Sequence, residues 1–267
     1  MSNIALKLKS IHKKIGANEI IKDLSFEVHE GEICGFIGPN GSGKTTTLRM
    51  ITGLISISSG DITPSGYSIQ TQREKALSQI GAIIESPVMY NYMTGLQNLR
   101  HYAGMTTSNK SDERIKTIIK LVDLEAAINK KVKTYSLGMK QRLGIAQALL
   151  HKPKILILDE PTNGLDPAGI RKLRDYLQHL AKSEKMAVLV SSHLLSEIEL
   201  MFNRVVIIKE GQFIKEYNWN KQDKIEKLDV LFDISDTESA NKIIKGKLEN
   251  GKILIQVKRE QIPILVK

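Results

Sequence analysis

The strongest constraint in this sequence is the run Gly38-Pro39-Asn40-Gly41-Ser42-Gly43-Lys44-Thr45, which fills every fixed position of the pattern G-x-x-x-x-G-K-[ST]. An apolar segment precedes the run, and helix-compatible residues from Thr45 to Met50 follow it, so we expect a buried strand, a tight loop and a helix. Such a loop presents backbone N–H groups at a helix N-terminus, where the aligned peptide dipoles favour negative charge. The run therefore predicts binding of a nucleoside triphosphate together with magnesium.

The residues of this loop have distinct predicted roles. Glycine lets the backbone approach the phosphates closely, Lys44 would reach the β- and γ-phosphates, and Thr45 would offer its hydroxyl to Mg²⁺. We therefore expect Lys44 to act in catalysis as well as in binding. The whole stretch is predicted to contact the nucleotide: Gly38, Pro39, Asn40, Gly41, Ser42, Gly43, Lys44, Thr45 and Thr46.

The composition limits the class of protein. At 267 residues, of which 41% are hydrophobic, the chain can bury the core of one sizeable domain plus a small appendage. No apolar run approaches the roughly 18 residues of a membrane span, and residues 1–10 lack the apolar core of a signal peptide. The single cysteine, Cys34, excludes an internal disulfide. These features predict a soluble protein of the cytoplasm.

The net charge of +10, from 39 Lys and Arg against 29 Asp and Glu, does not by itself identify a partner. Nucleic acid, an anionic membrane surface, bound nucleotide or a solvated lysine-rich face can each account for such an excess. Basic residues are not interleaved with aromatic ones, and no nucleic-acid-binding module is recognisable. We therefore expect no nucleic-acid partner.

Short apolar segments alternate with helical patterns, which predicts an α/β fold with a mostly parallel central sheet. Three segments indicate buried strands, at residues 33–37, 155–158 and 187–190. In open α/β sheets the ligand lies at the C-terminal ends of the strands, so polar residues just beyond them should converge on one site. These residues are Lys44, Asp159, Glu160 and His193.

An inserted helical subdomain is expected at about residues 88–150. Thr94-x-x-Gln97 has the pattern of a capping box that opens a helix through Tyr102. Residues 112–124 continue with apolar residues at helical spacing, and the Gly- and Lys-containing stretch at 104–110 is the predicted loop between the two helices.

We predict two domains in the chain. The main domain covers residues 1–215, and a small accessory α/β domain covers residues 216–267. In the accessory domain we predict strands at 230–234 and 253–257 around a helix at 238–245. The chain ends abruptly after one more apolar run, which leaves open whether this domain is complete.

The strand at residues 155–158 runs directly into two carboxylates, Asp159 and Glu160. Charged groups are costly to bury without partners, so a buried strand has no structural use for paired acids at its end. Asp159 is placed to hold Mg²⁺, directly or through water, and Glu160 to accept a proton from an attacking water. The alternative is a strand that runs into an acidic turn, but the phosphate-binding loop upstream favours the catalytic interpretation.

The segment Tyr135-Ser136-Leu137-Gly138-Met139 precedes a helical pattern that continues through Leu150. We expect Ser136 to cap this helix and Gly138 to remove a side chain from its first turn, which leaves N–H groups exposed to an anion. Here the sequence resembles the ATP-binding cassette (ABC) ATPases, whose signature has the form L-S-G-G-Q before a helix. Ser136 and Gly138 match that pattern, whereas the other three residues depart from it. An ordinary capped helix is the alternative.

The resemblance extends to two further segments in the expected order. Asn163-Gly164-Leu165-Asp166 resembles the D-loop and implies Asp166 as a nucleotide contact, although Asp166-Pro167 also has the pattern of a helix N-cap followed by proline. Ser191-Ser192-His193 resembles the segment of the switch histidine, which implies that His193 senses the γ-phosphate. The resemblance also implies that Ser136 and Gly138 bind the γ-phosphate of ATP held by a second copy of the chain.

Two positions depart from the family pattern. Where the family has glutamine in its Q-loop, residues 80–87 carry Glu85. A carboxylate can hold Mg²⁺ more strongly than an amide but cannot donate a hydrogen bond, so Glu85 is predicted as a metal contact with Thr45 and Asp159. Where the family stacks an aromatic ring on adenine, the sequence has Ile15, which predicts an aliphatic base contact of weaker selectivity. A solvated acid at Glu85 and a core residue at Ile15 are the alternatives.

The resemblance covers roughly residues 4–212 and implies a P-loop NTPase cassette that hydrolyses ATP with Mg²⁺. Within the family, the signature segment and Glu85 look most like the ATPases of exporters that confer lantibiotic immunity or bacitracin resistance. The expected partners are a second copy of the chain and separately encoded permease subunits that span the membrane, which would place the chain at the inner face of the cell membrane. Two alternatives stay open: a soluble ABC-type ATPase in translation or repair, and a nucleotide-dependent regulatory module with little hydrolysis.

Overall fold

In the computed structural model, residues 3–105, 112–193 and 201–218 are described in full, and the strands at 228–232, 247–249 and 252–257 by their backbone course. The chain divides into two compact units, Met1–Tyr217 and Asn218–Lys267. Within these described ranges, no helix is both long enough and apolar enough to cross a membrane.

The first unit is a mixed α/β structure. Its strands are β1 (Ile4–Ile15), β2 (Asn18–His29), β3 (Ile33–Ile37), β4 (Ser59–Pro64), β5 (Ile80–Ile83), β6 (Ile155–Leu158), β7 (Ala187–Ser192), β8 (Arg204–Lys209) and β9 (Gln212–Asn218). Its α-helices are α1 (Lys44–Ile51), α2 (Arg73–Leu77), α3 (Gly95–Met105), α4 (Asp112–Leu121), α5 (Leu137–Ala148) and α6 (Pro167–Glu184).

The central sheet has the strand order β5-β6-β7-β3-β8-β9. Strand β3 pairs in parallel with β7 and β8, and β6 pairs in parallel with β5 and β7. This arrangement confirms the predicted α/β fold with a mostly parallel sheet. Strands β3 and β6 have the predicted bounds, and β7 extends two residues beyond the prediction, to Ser192.

Both faces of the central sheet are buried, which explains why its strands are continuous apolar runs. Successive side chains of a strand point to opposite faces. Leu156 and Leu158 belong to the core beneath α5 and α6, whereas Ile155 and Ile157 belong to the core on the other face. Cys34 lies in that second core, and its burial raises the pKa of the thiol to about 12, so it is a packed and unreactive cysteine.

A second, antiparallel sheet of order β2-β1-β4 covers the other face, and the sequence analysis did not predict it. The pairing of β1 with β2 is interrupted by several register shifts. Ser10 in β1 and Asp23 in β2 both have a left-handed backbone, with φ of 47°. Alternation of buried apolar and more exposed polar residues persists between these irregularities, as in Leu24-Ser25-Phe26-Glu27-Val28 of β2, so the sequence carried a strand signal that the analysis did not use.

The helical insert contains the predicted capping box. The N–H of Thr94 donates to Oε1 of Gln97 at 2.8 Å, and the N–H of Gln97 donates to Oγ1 of Thr94 at 3.1 Å. Helix α3 runs three residues beyond the predicted Tyr102, so the predicted loop at 104–110 begins inside this helix and otherwise lies outside the described residues. Helix α4 ends before residue 124, because the chain turns at Asp123, whose φ is 52°.

The second unit contains three strands, β10 (Leu228–Phe232), β11 (Lys247–Glu249) and β12 (Lys252–Val257), within its described residues. Strand β12 pairs antiparallel with both of the others. Strands β10 and β12 overlap the predicted segments 230–234 and 253–257, whereas β11 was not predicted. The helix predicted at 238–245 lies outside the described residues.

Arg204, the first residue of β8, is buried and links three parts of the first unit. Its Nε donates to Oε1 of Glu32 at 2.6 Å, and its Nη1 donates to Oε2 of Glu216 at 2.7 Å. Its Nη2 donates to the carbonyl of Glu27. The guanidinium thus ties β8 to the turn before β3, to β9 and to β2.

Replacing Arg204 by methionine should lower the free energy of unfolding by about 3–5 kcal/mol, because Glu32 would remain buried without its partner. Urea denaturation of the full chain measures this loss. The double variant Arg204→Met/Glu32→Met should be less destabilised than the single variant, since it removes the unpaired charge. Lys7→Met, which opens the more exposed pair with Glu27, serves as the control and should cost less than about 1 kcal/mol.

Candidate functional site

The phosphate-binding loop lies between the end of β3 and the start of α1. Gly41 and Gly43 have left-handed backbone conformations, with φ of 79° and 100°, which glycine adopts without strain. A Cβ atom on Gly38 would lie 2.4 Å from the carbonyl oxygen of Ile208. The N–H of Ser42 donates to the carbonyl of Pro39 at 3.1 Å, which closes the loop. The glycines of the motif are therefore required by the backbone path and by close contact.

Lys44 is the buried cation of the site, with 6% of its surface exposed. Its Nζ donates to the carbonyl of Gly38 at 2.8 Å and lies 3.5 Å from Oε1 of Glu160. Next to it, the buried hydroxyl of Ser42 has no hydrogen-bond partner among the described residues. A buried polar atom without a partner is rare, so this hydroxyl is a contact available to a bound phosphate.

Two carboxylates face the loop from the end of β6. Thr45 donates its hydroxyl to Oδ2 of Asp159 at 2.9 Å, and Ser191 donates to Oδ1 at 2.5 Å. The carboxylate of Glu160 has Lys44 on one side and His193 on the other, with Nδ1 of His193 2.7 Å from Oε2. The structure thus brings together all four residues expected at the strand ends: Lys44, Asp159, Glu160 and His193.

A cavity of about 470 Å³ opens over this cluster. Its lining comes from the loop, from the start of α1, from β2 and from the segments that follow β6 and β7. The lining residues are Ile20, Asn40, Gly41, Gly43, Lys44, Thr45, Thr46, Glu160, Asn163 and His193. The lining thus includes the ammonium group of Lys44, the carboxylate of Glu160 and the imidazole of His193.

Two oxygen groups beside this cavity fit a magnesium ion. The hydroxyl oxygen of Thr45, which lines the cavity, lies 2.9 Å from Oδ2 of Asp159, which does not line it. In the described ranges, no group of three or more His, Cys, Asp and Glu side chains could hold a metal ion. Hydroxyl and carboxylate oxygens are the ligand types of Mg²⁺, which proteins bind through one or two side chains while phosphates and water supply the other ligands.

Ser136, Gly138 and Asp166 lie at a second cavity, of about 490 Å³, which shares no lining residue with the first. Ser136 caps α5, where its hydroxyl accepts from the N–H of Met139 at 3.3 Å. Asp166 caps α6 and accepts from the N–H of Gly169 at 3.0 Å. Gly164 lets the two segments meet, since a Cβ there would be 2.7 Å from Leu137. Both predicted N-caps are confirmed.

Two predicted site residues lie apart from the carboxylate cluster. Glu85 has a left-handed backbone, with φ of 69°, and its carboxylate forms an ion pair with Arg49. Ile15 ends β1 with 56% of its surface exposed, so it is not the core residue of the alternative interpretation. Neither residue lines the cavity over the phosphate loop.

Sequence reasoning missed two contributors to the site. Ser191 both donates to Asp159 and accepts from the N–H of Glu160, at 2.9 Å, which fixes the two acids relative to each other. The only sequence signal for this role is its place at the end of a predicted strand. Ile20 lines the cavity from β2, a strand that the sequence analysis did not predict.

Comparisons with known proteins agree with this geometry. A family model described as ABC transporter matches residues 21–163. The uncharacterized ABC transporter ATP-binding protein YdbJ of Bacillus subtilis (strain 168) is 46% identical over 99% of this chain and 87% of its own length. The bacitracin transport ATP-binding protein BcrA of Bacillus licheniformis is 42% identical over 90% of this chain and 78% of its own length. The lantibiotic transport ATP-binding protein SrtF of Streptococcus pyogenes is 39% identical over 84% of this chain and 95% of its own length.

Solved structures with a similar fold are also ATP-binding cassettes. The structure of cbiO1 from Clostridium perfringens, part of the transporter complex cbiONQ, matches with a TM-score of 0.75 and 26% identity over 84% of this chain and 93% of that one. The cassette MJ0796, solved as a dimer in a post-hydrolysis state with ADP and phosphate, matches with a TM-score of 0.70 and 26% identity. The match covers 80% of this chain and 98% of that one.

Two glycine substitutions separate backbone strain from steric contact in the phosphate loop. Gly41→Ala should cost about 1–2 kcal/mol of stability, because its φ is left-handed but nothing lies within 4 Å of the added atom. Gly38→Ala should cost about 3 kcal/mol, since the loop must move away from Ile208. Urea denaturation measures both losses, and binding of a fluorescent ATP analogue should weaken more in Gly38→Ala. Equal behaviour of the two variants would contradict the role given to this contact.

Proposed function

This chain belongs to the ABC transporter family of ATP-binding subunits, and we propose that it powers a membrane exporter that confers immunity or resistance to a peptide antibiotic. Membership confirms the resemblance noted in the sequence, and ATP hydrolysis coupled to transport is the general activity of the family. The observation that carries the catalytic part of the proposal is the carboxylate of Glu160, held between Lys44 and His193 beside the phosphate loop.

Each residue of the cluster has a chemical task in this proposal. Lys44 and the N–H groups of the loop bind the β- and γ-phosphates and stabilise the charge that develops during phosphoryl transfer. Glu160 accepts the proton of the attacking water, and His193 orients that carboxylate and senses the γ-phosphate. Thr45 and Asp159 would hold a magnesium ion, which when bound neutralises phosphate charge.

A second copy of the chain completes the site. Ser136 and Gly138 form the N-terminus of α5 in a cavity separate from the phosphate loop, so one chain offers two different anion-binding surfaces. In a two-fold dimer, each ATP lies between the loop of one copy and α5 of the other. Asp166, beside α5, lies at the same contact. The dimer closes on ATP and loosens once the bond to the γ-phosphate is cleaved.

The membrane partner docks on an apolar groove of about 460 Å³ between the central sheet and the helical insert. Residues on either side of Glu85 line one wall, and Thr52, Leu54 and Met105 line others. Leu54, Val88 and Met105 are each more than half exposed, which is unusual for large apolar side chains grouped around one groove. A cytoplasmic segment of a separately encoded permease is the proposed occupant, which places the chain at the inner face of the membrane.

The exported compound is proposed from the relatives. BcrA and SrtF are described as bacitracin and lantibiotic transport ATP-binding proteins, and they support a peptide antibiotic as the substrate class.

The nucleotide base is proposed to rest on aliphatic side chains. Ile20 lines the cavity, and Ile15, five residues earlier in sequence, is exposed at the end of β1. Such a surface contributes apolar contact but little selectivity between adenine and guanine.

Glu160→Gln should abolish ATP turnover while ATP binding persists, because the amide keeps the shape of the side chain but cannot accept the proton. The expected loss of kcat is on the order of 10²- to 10⁴-fold. Size-exclusion chromatography should detect an ATP-dependent dimer of this variant. Comparable turnover of GTP and ATP by the wild-type chain supports the aliphatic base surface.

The same measurements decide between the alternatives. A wild-type chain without turnover, alone or with its membrane partner, would favour the regulatory module. A Glu160→Gln chain that stays monomeric with saturating ATP would contradict the paired site. Failure of the chain to co-purify with any multi-spanning membrane protein, while it still hydrolyses ATP, would favour a soluble ATPase of translation or repair.

A charge in the groove should separate transport coupling from catalysis. We expect Met105→Asp to weaken co-purification with a multi-spanning membrane protein, recognised by about six apolar spans of roughly 20 residues. Basal ATP turnover of the isolated chain should stay near the wild-type value, since Met105 lines the groove and not the nucleotide cavity. Ile4→Asp, at an exposed apolar residue of β1, is the control. Equal loss of binding in both variants would exclude the groove as the specific contact.

A further inference from the structure

The segment of residues 84–88, here named the Glu85 loop, touches both helices that carry predicted phosphate-binding residues. Glu85 pairs with Arg49 of α1, the helix that begins with Lys44. Pro87 packs on Gly144 of α5, the helix that Ser136 caps. One short loop therefore links the helix of the phosphate loop to the helix of the signature segment within the same chain.

Arg49 lies on the same face of α1 as Thr45. Residues four apart are neighbours on a helix surface, so α1 presents these two side chains in the same direction, one turn apart. Thr45 contacts Asp159 after β6, and Arg49 contacts Glu85 after β5. Because β5 and β6 are adjacent parallel strands, α1 is fastened to two neighbouring strand ends through two polar contacts.

Glu85 and Glu160 occupy equivalent positions at this edge of the sheet. Ile83 is the register partner of Leu158, and each glutamate follows its strand by two residues. Both glutamates have left-handed backbone conformations, with φ of 69° and 47°. A non-glycine residue keeps this conformation only where its surroundings hold it in place, and such residues cluster at functional sites. For Glu85, Arg49 supplies that contact on one side and the Pro87 packing on the other.

The contact with α5 is close because it involves no side chain on the helix. A Cβ atom at Gly144 would lie 2.6 Å from Cβ of Pro87, so the Glu85 loop packs directly on the helix backbone. A displacement of the loop must then be accompanied by a displacement of α5, because packed interiors transmit small shifts rather than absorb them.

We propose that Arg49 is a positioning residue for ATP hydrolysis, whose ion pair with Glu85 holds the Glu85 loop and so sets the position of α5 relative to the phosphate loop. This inference rests on the proposed ATPase function. The pair is too exposed to matter much for folding, since surface ion pairs contribute little to the free energy of unfolding. Arg49 also does not line the nucleotide cavity, so its effect must pass through the loop.

The test uses the full chain with three variants: Arg49→Ala, Arg49→Lys and, as the matched control, Arg100→Ala. Arg100 forms a comparably exposed pair with Asp112 that joins α3 to α4. We expect Arg49→Ala to lower kcat by about two- to fivefold, the scale that an exposed ion pair can contribute, with little change in KM for ATP. Arg49→Lys should recover most of the loss, and Arg100→Ala should match the wild type.

Hydrogen–deuterium exchange gives a readout independent of turnover. In Arg49→Ala, peptides covering residues 84–88 and 137–148 should exchange faster than in the wild type, with and without bound ATP analogue. In Arg100→Ala the same peptides should be unchanged. If Arg49 had a merely structural role, Arg49→Ala would instead lower the unfolding midpoint of the whole unit, and Arg49→Lys would not restore that midpoint.

The outcomes separate this inference from the proposed function. If the wild type hydrolyses ATP and Arg49→Ala keeps the wild-type kcat and exchange pattern, the positioning role is overturned and the ATPase assignment stands. If the wild type shows no turnover, the proposed function fails, and faster exchange in both peptides of Arg49→Ala supports the mechanical link while unchanged exchange overturns it.

Discussion

The site depends on a buried cation, the ammonium group of Lys44, at the edge of a sheet whose strands are otherwise apolar. A charge removed from water is tolerated only where polar partners replace its hydration. Lys44 has the carbonyls of Gly38 and Pro39 and the carboxylate of Glu160, and Asp159 has the hydroxyls of Thr45 and Ser191. These contacts hold the two acids and the loop in one arrangement. The apolar strands beneath them supply the rigidity, since both faces of the sheet are packed.

In the proposed dimer, one copy of the chain offers only half of each closed site. The phosphate loop and the signature segment lie at two cavities without shared residues. Each cavity presents N–H groups of a helix N-terminus, which attract anions, and neither encloses a nucleotide from all sides. In the proposed dimer, one triphosphate contacts both surfaces, so the nucleotide forms the contact between the two subunits. The dimeric cassettes of similar fold are consistent with this reading.

The Glu85 loop connects this chemistry to the surface where a partner is proposed to bind. Ser86, Pro87 and Val88 line the apolar groove, while Glu85 faces Arg49 on the helix of the phosphate loop. Leu54, which also lines the groove, donates its N–H to the carbonyl of Arg49 at 2.8 Å. Arg49 is thus bonded through its backbone to one wall of the groove and through its side chain to another. Glu85 stands where the family has glutamine, and in this chain it forms an ion pair with Arg49. A neutral glutamine amide could accept a hydrogen bond from the guanidinium but could not form an ion pair with it.

The sequence by itself determined the features that neighbouring residues encode. The phosphate loop, the strands β3 and β6, the capping box at Thr94 and the N-caps at Ser136 and Asp166 follow from short patterns of polarity and hydrogen bonding. The tertiary structure decided which distant residues meet: Thr45 with Asp159 across 114 positions, Arg49 with Glu85 across 36, and Ser191 between the two acids. It also decided that β1 pairs with β4, which brings Leu6 opposite Pro64 in the antiparallel sheet. Contacts of this kind depend on strand order and crossovers, which no local pattern specifies, because sequence periodicity reports the face of an element and not its neighbour.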